Sequence, residues 1–346
     1  DERFPMVAHF NVSDTHRDEL VARLHETAAA FGLDTVSLGA LHTADPLTDP
    51  AADSASLPHA VRRVRWLDAL AAARGHFLWT DFDRAFILLA THGATATYAP
   101  TVPCVHAPDY AAQARALIGP RLRLQAARAG LLSTEIIDEP HLYPSNLCRC
   151  DTCQRRYRER FGEELPDPAA LVGDQTLRRW HYFQWLEDYA SRAFAMTKKL
   201  RDEIAPSVRL HNVPIDRLFT SDFMFNGMHR WAQYADGVFM ACYPFGYRVW
   251  RGRERLPHHQ THWIAAWVRN LATHYRLPHW GVFMDLWEHD APNRWMPPFW
   301  SVGQFYALLA AGATRMDTFI LMFTYEGFGI SDVRLREFGR EIGKIR

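Results

Sequence analysis

Three of the chain's five cysteines fall within six residues, Cys148-Arg149-Cys150-Asp151-Thr152-Cys153. Thiols this close are not independent core residues, and disulfides among them would be strained. Thiolates at C-x-C-x-x-C spacing suit a tetrahedral metal, with zinc the default. Cys104 is the natural fourth ligand, because it follows the expected third strand and so lies beside the fourth. Four cysteines close the coordination shell and leave no open position for water, so the zinc is expected to be structural. Iron–sulfur radical chemistry usually shows C-x-x-x-C-x-x-C after a first strand, and neither spacing nor position fits. No organic cofactor is expected, since the chain has no Gly-rich phosphate loop, and it also lacks the G-x-S-x-G elbow of a serine nucleophile. Cys242 reads as a buried thiol inside a strand.

Carboxylates form the second constellation. Asp138-Glu139, Asp285 with Glu288 nearby, and Tyr325-Glu326 each follow a β-rich run. Glycoside cleavage needs two carboxyl groups facing one bond, one to protonate the leaving oxygen and one to attack or to activate water. Glu139 is the expected acid/base, held partly protonated by a nearby carboxylate. For its partner, Asp285 is favoured by register and Glu288 by its longer reach. An Asp set one methylene back widens the gap and leaves room for inversion as well as retention.

Such residues need a frame that brings distant strand ends together. Eight strands are expected at Phe4–Asn11, Thr35–Leu41, Ala94–Thr101, Leu131–Asp138, Val208–Val213, Gly237–Pro244, His279–Met284 and Asp317–Thr324. Helical patterns lie among them at Arg17–Phe31, Phe82–His92, Trp180–Ile204 and His258–His274, with a last helix at Asp332–Ile345. This alternation predicts an α/β fold, a (β/α)8 TIM barrel of one domain spanning residues 1–346. Thr43–Ala55 reads as an excursion after strand two, and Pro140–Asp174 as an insertion after strand four that carries the zinc site. Barrel chemistry gathers at the C-terminal strand ends. His211, Asn212, Tyr243 and Tyr325 are therefore expected to line the pocket with Asp138 and Glu326. Trp287 and Trp295 would stack on the apolar face of a sugar ring, while Trp66 and Trp79 read as core on helix-side segments.

Composition excludes several other classes. The 39 Lys+Arg balance 39 Asp+Glu to a net charge of +0, which argues against nucleic acid as a partner. Arg62, Arg63 and Arg65 read as a solvated helix face. The longest apolar stretch, Phe305–Ala313, is far short of the roughly 18 residues that cross a bilayer. At 48% hydrophobic residues the chain can fill a large core. His258, His259 and His262 read as surface histidines, and Glu135 as a buried partner for an arginine. Reduced thiols favour a cytoplasmic location, although a zinc site survives export and the Asp at position 1 leaves room for trimming. The sequence is compatible with a homo-oligomer.

Asp138-Glu139-Pro140, the nine-residue step from Glu139 to Cys148, the cluster Cys148–Cys153 followed by Gln154, and Phe161-Gly162 together resemble the family 42 β-galactosidases. Members of that family carry Asn-Glu-Tyr-Gly, the same gap and a Cys-x-Cys-x-x-Cys zinc cluster. A further zinc cysteine before Pro-x-Tyr resembles Cys104-Val105-His106-Ala107-Pro108-Asp109-Tyr110. His211-Asn212, Asp236 through Tyr243-Pro244, and Gly312-Ala313 are also similar. The resemblance implies a retaining glycosidase barrel with Glu139 as acid/base, without the family's two further domains. It departs at Asp138, where the family has Asn, at Met284-Asp285, where it has Met-Glu, and at strand two, which lacks the family's Arg. The Trp-bearing end of strand eight is Phe323-Thr324-Tyr325-Glu326 here. The expected reaction is therefore hydrolysis of a small glycoside or oligosaccharide, with no support for galactose in particular. The competing reading is a non-catalytic sugar-binding barrel whose carboxylate pair has decayed, and a catalytic zinc hydrolase is a third.

Overall fold

The computed structural model describes residues 6–10, 35–38, 77–81, 104–126, 133–138, 148–171, 176–213, 228–242, 257–284, 298–318, 340–341 and 343–344. Eight strands lie among them: β1 (Met6–Phe10), β2 (Thr35–Leu38), β3 (Phe77–Asp81), β4 (Ser133–Asp138), β5 (Leu210–Val213), β6 (Gly237–Cys242), β7 (His279–Met284) and β8 (Arg315–Thr318). Each pairs in parallel with the next and β8 pairs back onto β1, so the sheet closes as a barrel in chain order. A closed barrel leaves no open sheet edge. It also brings every strand's C-terminal end to one rim.

The described helices are α1 (Tyr110–Ala126), α2 (Asp151–Phe161), α3 (Leu177–Ile204), the single turn α4 (Met228–Trp231), α5 (Pro257–Tyr275) and α6 (Pro298–Ala310). Their burial follows the helical period. On α1, Ala114, Ile118 and Leu122 form one buried stripe, and on α3 Tyr182, Trp185, Leu186, Tyr189, Ala193, Phe194 and Leu200 form another. Proline opens α5 and α6, where its missing N–H costs nothing. Gly162 (φ 73°) closes α2 in the left-handed conformation that favours glycine. The strands behave as parallel strands covered on both faces should. In β6, consecutive Val238, Phe239 and Met240 are all buried.

The barrel lumen is filled by contacts that only closure allows. Arg315 on β8 donates from Nη1 to Ser133 Oγ on β4 at 2.8 Å, and its guanidinium lies 4.2 Å from the Phe239 ring on β6. His211 on β5 meets the same ring edge-on at 5.4 Å. Gly281 on β7 pairs with Phe239 on one side and Arg315 on the other. Its missing side chain is what lets ring and guanidinium meet.

At the opposite end of the strands, Asp236 leads into β6 and accepts from Arg201 on α3 at both carboxylate oxygens. Asp236 Oδ2 also accepts from the Leu210 N–H at 2.8 Å, and Arg201 donates to the Val208 carbonyl at 2.6 Å. This network ties α3 to the starts of β5 and β6, a stabilising position in this fold. Burial pulls the Arg201 guanidinium down, but the bonds and charge of Asp236 outweigh it and hold the group above its ordinary value.

Two expected strands differ. The third barrel strand is Phe77–Asp81, whereas Ala94–Thr101 lies outside the described residues. The physical reason is bulk: Phe77-Leu78-Trp79 can fill both faces of a covered strand, and an Ala- and Thr-rich run cannot. Trp79 therefore stands in β3, not on a helix side. Strand eight begins two residues earlier than expected, at Arg315. Gly312 (φ 83°) ends the preceding turn, and Thr314 Oγ1 bonds both the N–H and the carbonyl of Trp280, which pins β8 to β7. The expected helices Arg17–Phe31 and Phe82–His92, and nearly all of Asp332–Ile345, lie outside the described residues, as do Arg62, Arg63, Arg65, Trp66 and Thr43–Ala55. Among the described residues no helix is long and apolar enough to cross a membrane.

Candidate functional site

The cysteines come together as their spacing predicts. Cys104 sits in the turn before α1, where its carbonyl accepts from the Ala107 N–H at 2.8 Å. Cys148 and Cys150 lead into α2, and Cys153 lies in its first turn. The four Sγ atoms all lie within 4.8 Å of one another, with Cys104–Cys153 at 3.4 Å and Cys104–Cys150 at 3.8 Å. A tetrahedron of sulfurs about 2.3 Å from a zinc ion has edges of about 3.8 Å. The donor set therefore fits that ion. All four thiols are free, so no disulfide competes.

The surroundings favour bound thiolates. The His106 N–H donates to Cys104 Sγ at 3.4 Å, and the N-terminal end of α2 adds positive potential beside Cys150 and Cys153. Arg149 donates to the carbonyls of Pro166 at 2.6 Å and Leu165 at 2.9 Å, folding the segment after α2 back against the cluster. Hydrogen bonds from Cys104 and Cys153 hold the Cys148 thiol far below its ordinary value. The contact with Cys148, with burial, pushes Cys104 up to about 12 against the lowering contact with Cys153, and the contacts with Cys104 and Cys148 push Cys153 up as well. Adjacent sulfurs cannot all ionise without a cation between them.

The barrel rim receives several of the expected pocket residues by backbone position. Asp138 ends β4, His211 and Asn212 lie in β5, and Met284 ends β7 one residue before Asp285. The His211 ring is buried in the lumen against Phe239. Glu139, Tyr243, Asp285, Trp287, Glu288, Trp295, Tyr325 and Glu326 lie outside the described residues. Glu135 stands in β4 in register with Asp81 and His211. His262 on α5 is exposed, as a surface histidine should be.

One feature went unread in the sequence. Next to the cysteines, α2 and α3 frame an open cleft of about 540 Å³ lined by four arginines, with His106 in its wall. Burial first, and then the charges of Arg192 and Arg156, lower the His106 imidazole to about 4. The Arg-rich run 155–160 was a usable signal, but only its meeting with Arg192 on another helix makes a site.

No protein-family model matches the sequence. No curated protein matches it either. Solved structures do match in fold. A β-galactosidase from the psychrophilic Marinomonas ef1 superposes with a TM-score of 0.68 at 10% identity, covering 99% of this chain and 59% of its own. A GH42 β-galactosidase from G. stearothermophilus gives 0.66 at 12%, covering 100% and 56%. The catalytic domain of a β-amylase from Paenibacillus polymyxa gives 0.59 at 9% and is covered over 99% of both chains. The chain thus spans under three-fifths of the length of the β-galactosidases it matches, and its fold is the TIM-barrel-like fold found in these glycoside hydrolases.

Proposed function

We propose that this chain is a glycoside hydrolase acting on a small glycoside or oligosaccharide. The observation that carries the reading is the parallel, closed barrel in which β4 ends at Asp138 and β7 at Met284. Parallel strands put Glu139 and Asp285 next in chain after two ends of the same rim. In this reading the 346 residues form one barrel domain. Glu139 protonates the leaving oxygen, and Asp285, with Glu288 as the alternative, supplies the second carboxylate. Asp138, Asn212, Tyr243, Tyr325 and Glu326 bind sugar hydroxyls, Trp287 and Trp295 stack on the ring, and His211 packs beneath the pocket in the lumen.

The segment between β4 and β5 is an insertion held by a structural zinc on Cys104, Cys148, Cys150 and Cys153. The ion crosslinks the turn before α1 to the start of α2 and takes no part in the reaction. Thiolate ligands of this kind persist in a reducing, cytoplasmic compartment.

A panel of nitrophenyl glycosides tests the activity. Glu139→Ala should lose most turnover yet retain it on substrates with good leaving groups. Whichever of Asp285→Ala and Glu288→Ala is rescued by azide or formate carries the second carboxylate. Full activity of Glu139→Ala on an ordinary glycoside ends the proposal. No cleavage of any glycoside, with sugar binding retained, would favour the decayed barrel instead. Metal analysis of the purified protein should find one zinc per chain, and its absence would refute the structural site.

A further inference from the structure

The cleft beside the cysteine cluster carries chemistry that glycoside cleavage does not use. Arg155, Arg156 and Arg160 project from α2, and Arg192 from α3, against only Glu159 and Asp188. The two carboxylates are already engaged. Glu159 lies 3.8 Å from Arg155, while Asp188 is paired with Arg160 and accepts from Arg230 at 2.8 Å. Arg156 and Arg192 make no ion pair among the described residues, which leaves two guanidinium groups facing the cleft without a counter-charge.

Two aromatic rings form the wall between them. His106 is 7% exposed and Trp185 is 3% exposed, and both line the cleft. The two rings lie 4.8 Å apart. What suits two guanidinium groups over such a wall is a group with several acceptor oxygens and negative charge, which a guanidinium fork grips in bidentate fashion.

We infer that this cleft binds a tetrahedral oxyanion, a phosphate either free or esterified to a small molecule, between Arg156 and Arg192 against His106 and Trp185. The volume, about 540 Å³, exceeds what a bare ion needs and lies in the range of small-molecule sites. The cleft is lined by residues of α2 and α3 and by His106 ahead of α1, none of which the proposed glycoside reaction uses.

Titration calorimetry on the full chain at low salt tests this with inorganic phosphate, glucose 6-phosphate and glucose. Phosphate should bind, and the double variant Arg156→Gln/Arg192→Gln should weaken it about a hundredfold. Both arginines are exposed and make no ion pair among the described residues, so their replacement should leave the fold intact. Arg158→Gln removes one charge from the same helix outside the cleft, in a residue paired with Glu164, and should change nothing. Tighter binding of glucose 6-phosphate than of phosphate, with none of glucose, identifies an ester as the ligand, and equal binding identifies the free ion. The inference is overturned if phosphate does not bind at millimolar concentration, if the double variant binds as well as the parent, or if Arg158→Gln weakens binding as much as the double variant does. None of these readouts depends on glycosidase activity.

Discussion

Gly281 offers a sharp test of the barrel's interior. A Cβ placed on it would fall inside contact distance of the Arg315 carbonyl oxygen, with 3.0 Å to that carbonyl carbon and 3.0 Å to Phe239 Cδ1. Carbon atoms rest about 3.5–4.0 Å apart, so β7 and β8 would have to separate by roughly half an ångström or more. Overpacking of this kind costs about 1–3 kcal/mol, and displacing Arg315 from the Phe239 face adds about 1 kcal/mol. Alanine also stiffens the unfolded chain, which favours folding by about 0.4–1 kcal/mol. Sterics win, for a net loss of about 2 kcal/mol. For 346 residues the unfolding entropy is about 0.7 kcal/mol per kelvin, so Gly281→Ala should lower Tm by about 3 °C in scanning calorimetry. Gly343, with open space around its virtual Cβ, supplies the control: Gly343→Ala should be neutral or slightly stabilising. The backbone clash cannot be relieved from a side chain, so Phe239→Leu in the same molecule should not restore Tm. A Gly281→Ala protein melting with the parent, or a double variant that recovers, would refute the reasoning.

Two other outcomes follow from charge. Asp236→Asn weakens the carboxylate's hold on Arg201, whose side chain is 5% exposed, and should cost about 2 kcal/mol in urea unfolding, with no change in zinc content. Burial raises the Glu187 carboxyl to about 6, and the Arg230 charge only partly opposes it. A carboxyl raised by folding favours the native state fully at low pH, and that contribution is lost as pH climbs through about 6. Glu187→Gln should therefore gain about 2 kcal/mol on the parent between pH 4 and pH 8, and a pH-independent difference would show that burial does not control this group.

Much of the fold is legible in the chain because its signals are local. The apolar runs of β6 and β7, the α3 stripe and the helix-opening prolines each depend on neighbours within a few residues, so periodicity reveals them. The third strand escaped because a five-residue run, Phe77–Asp81, sits among helix-compatible residues, and choosing between candidate strands needs the partner strand, not the strand itself. Three of the four cysteines announce a metal by spacing alone.

The residue types and short spacings thus set what this protein could do: thiolates for a metal, carboxylates after strands, aromatics for stacking. Tertiary structure alone decided which groups meet. Cys104 reaches Cys153 across 49 residues, and Arg315 reaches Ser133 across 182, through a lumen that exists only once β8 closes on β1. The arginine cleft is decided the same way. A guanidinium on α2 means little until α3 packs beside it, because charge becomes a site only when chain segments far apart in sequence are held at hydrogen-bonding distance by a shared core.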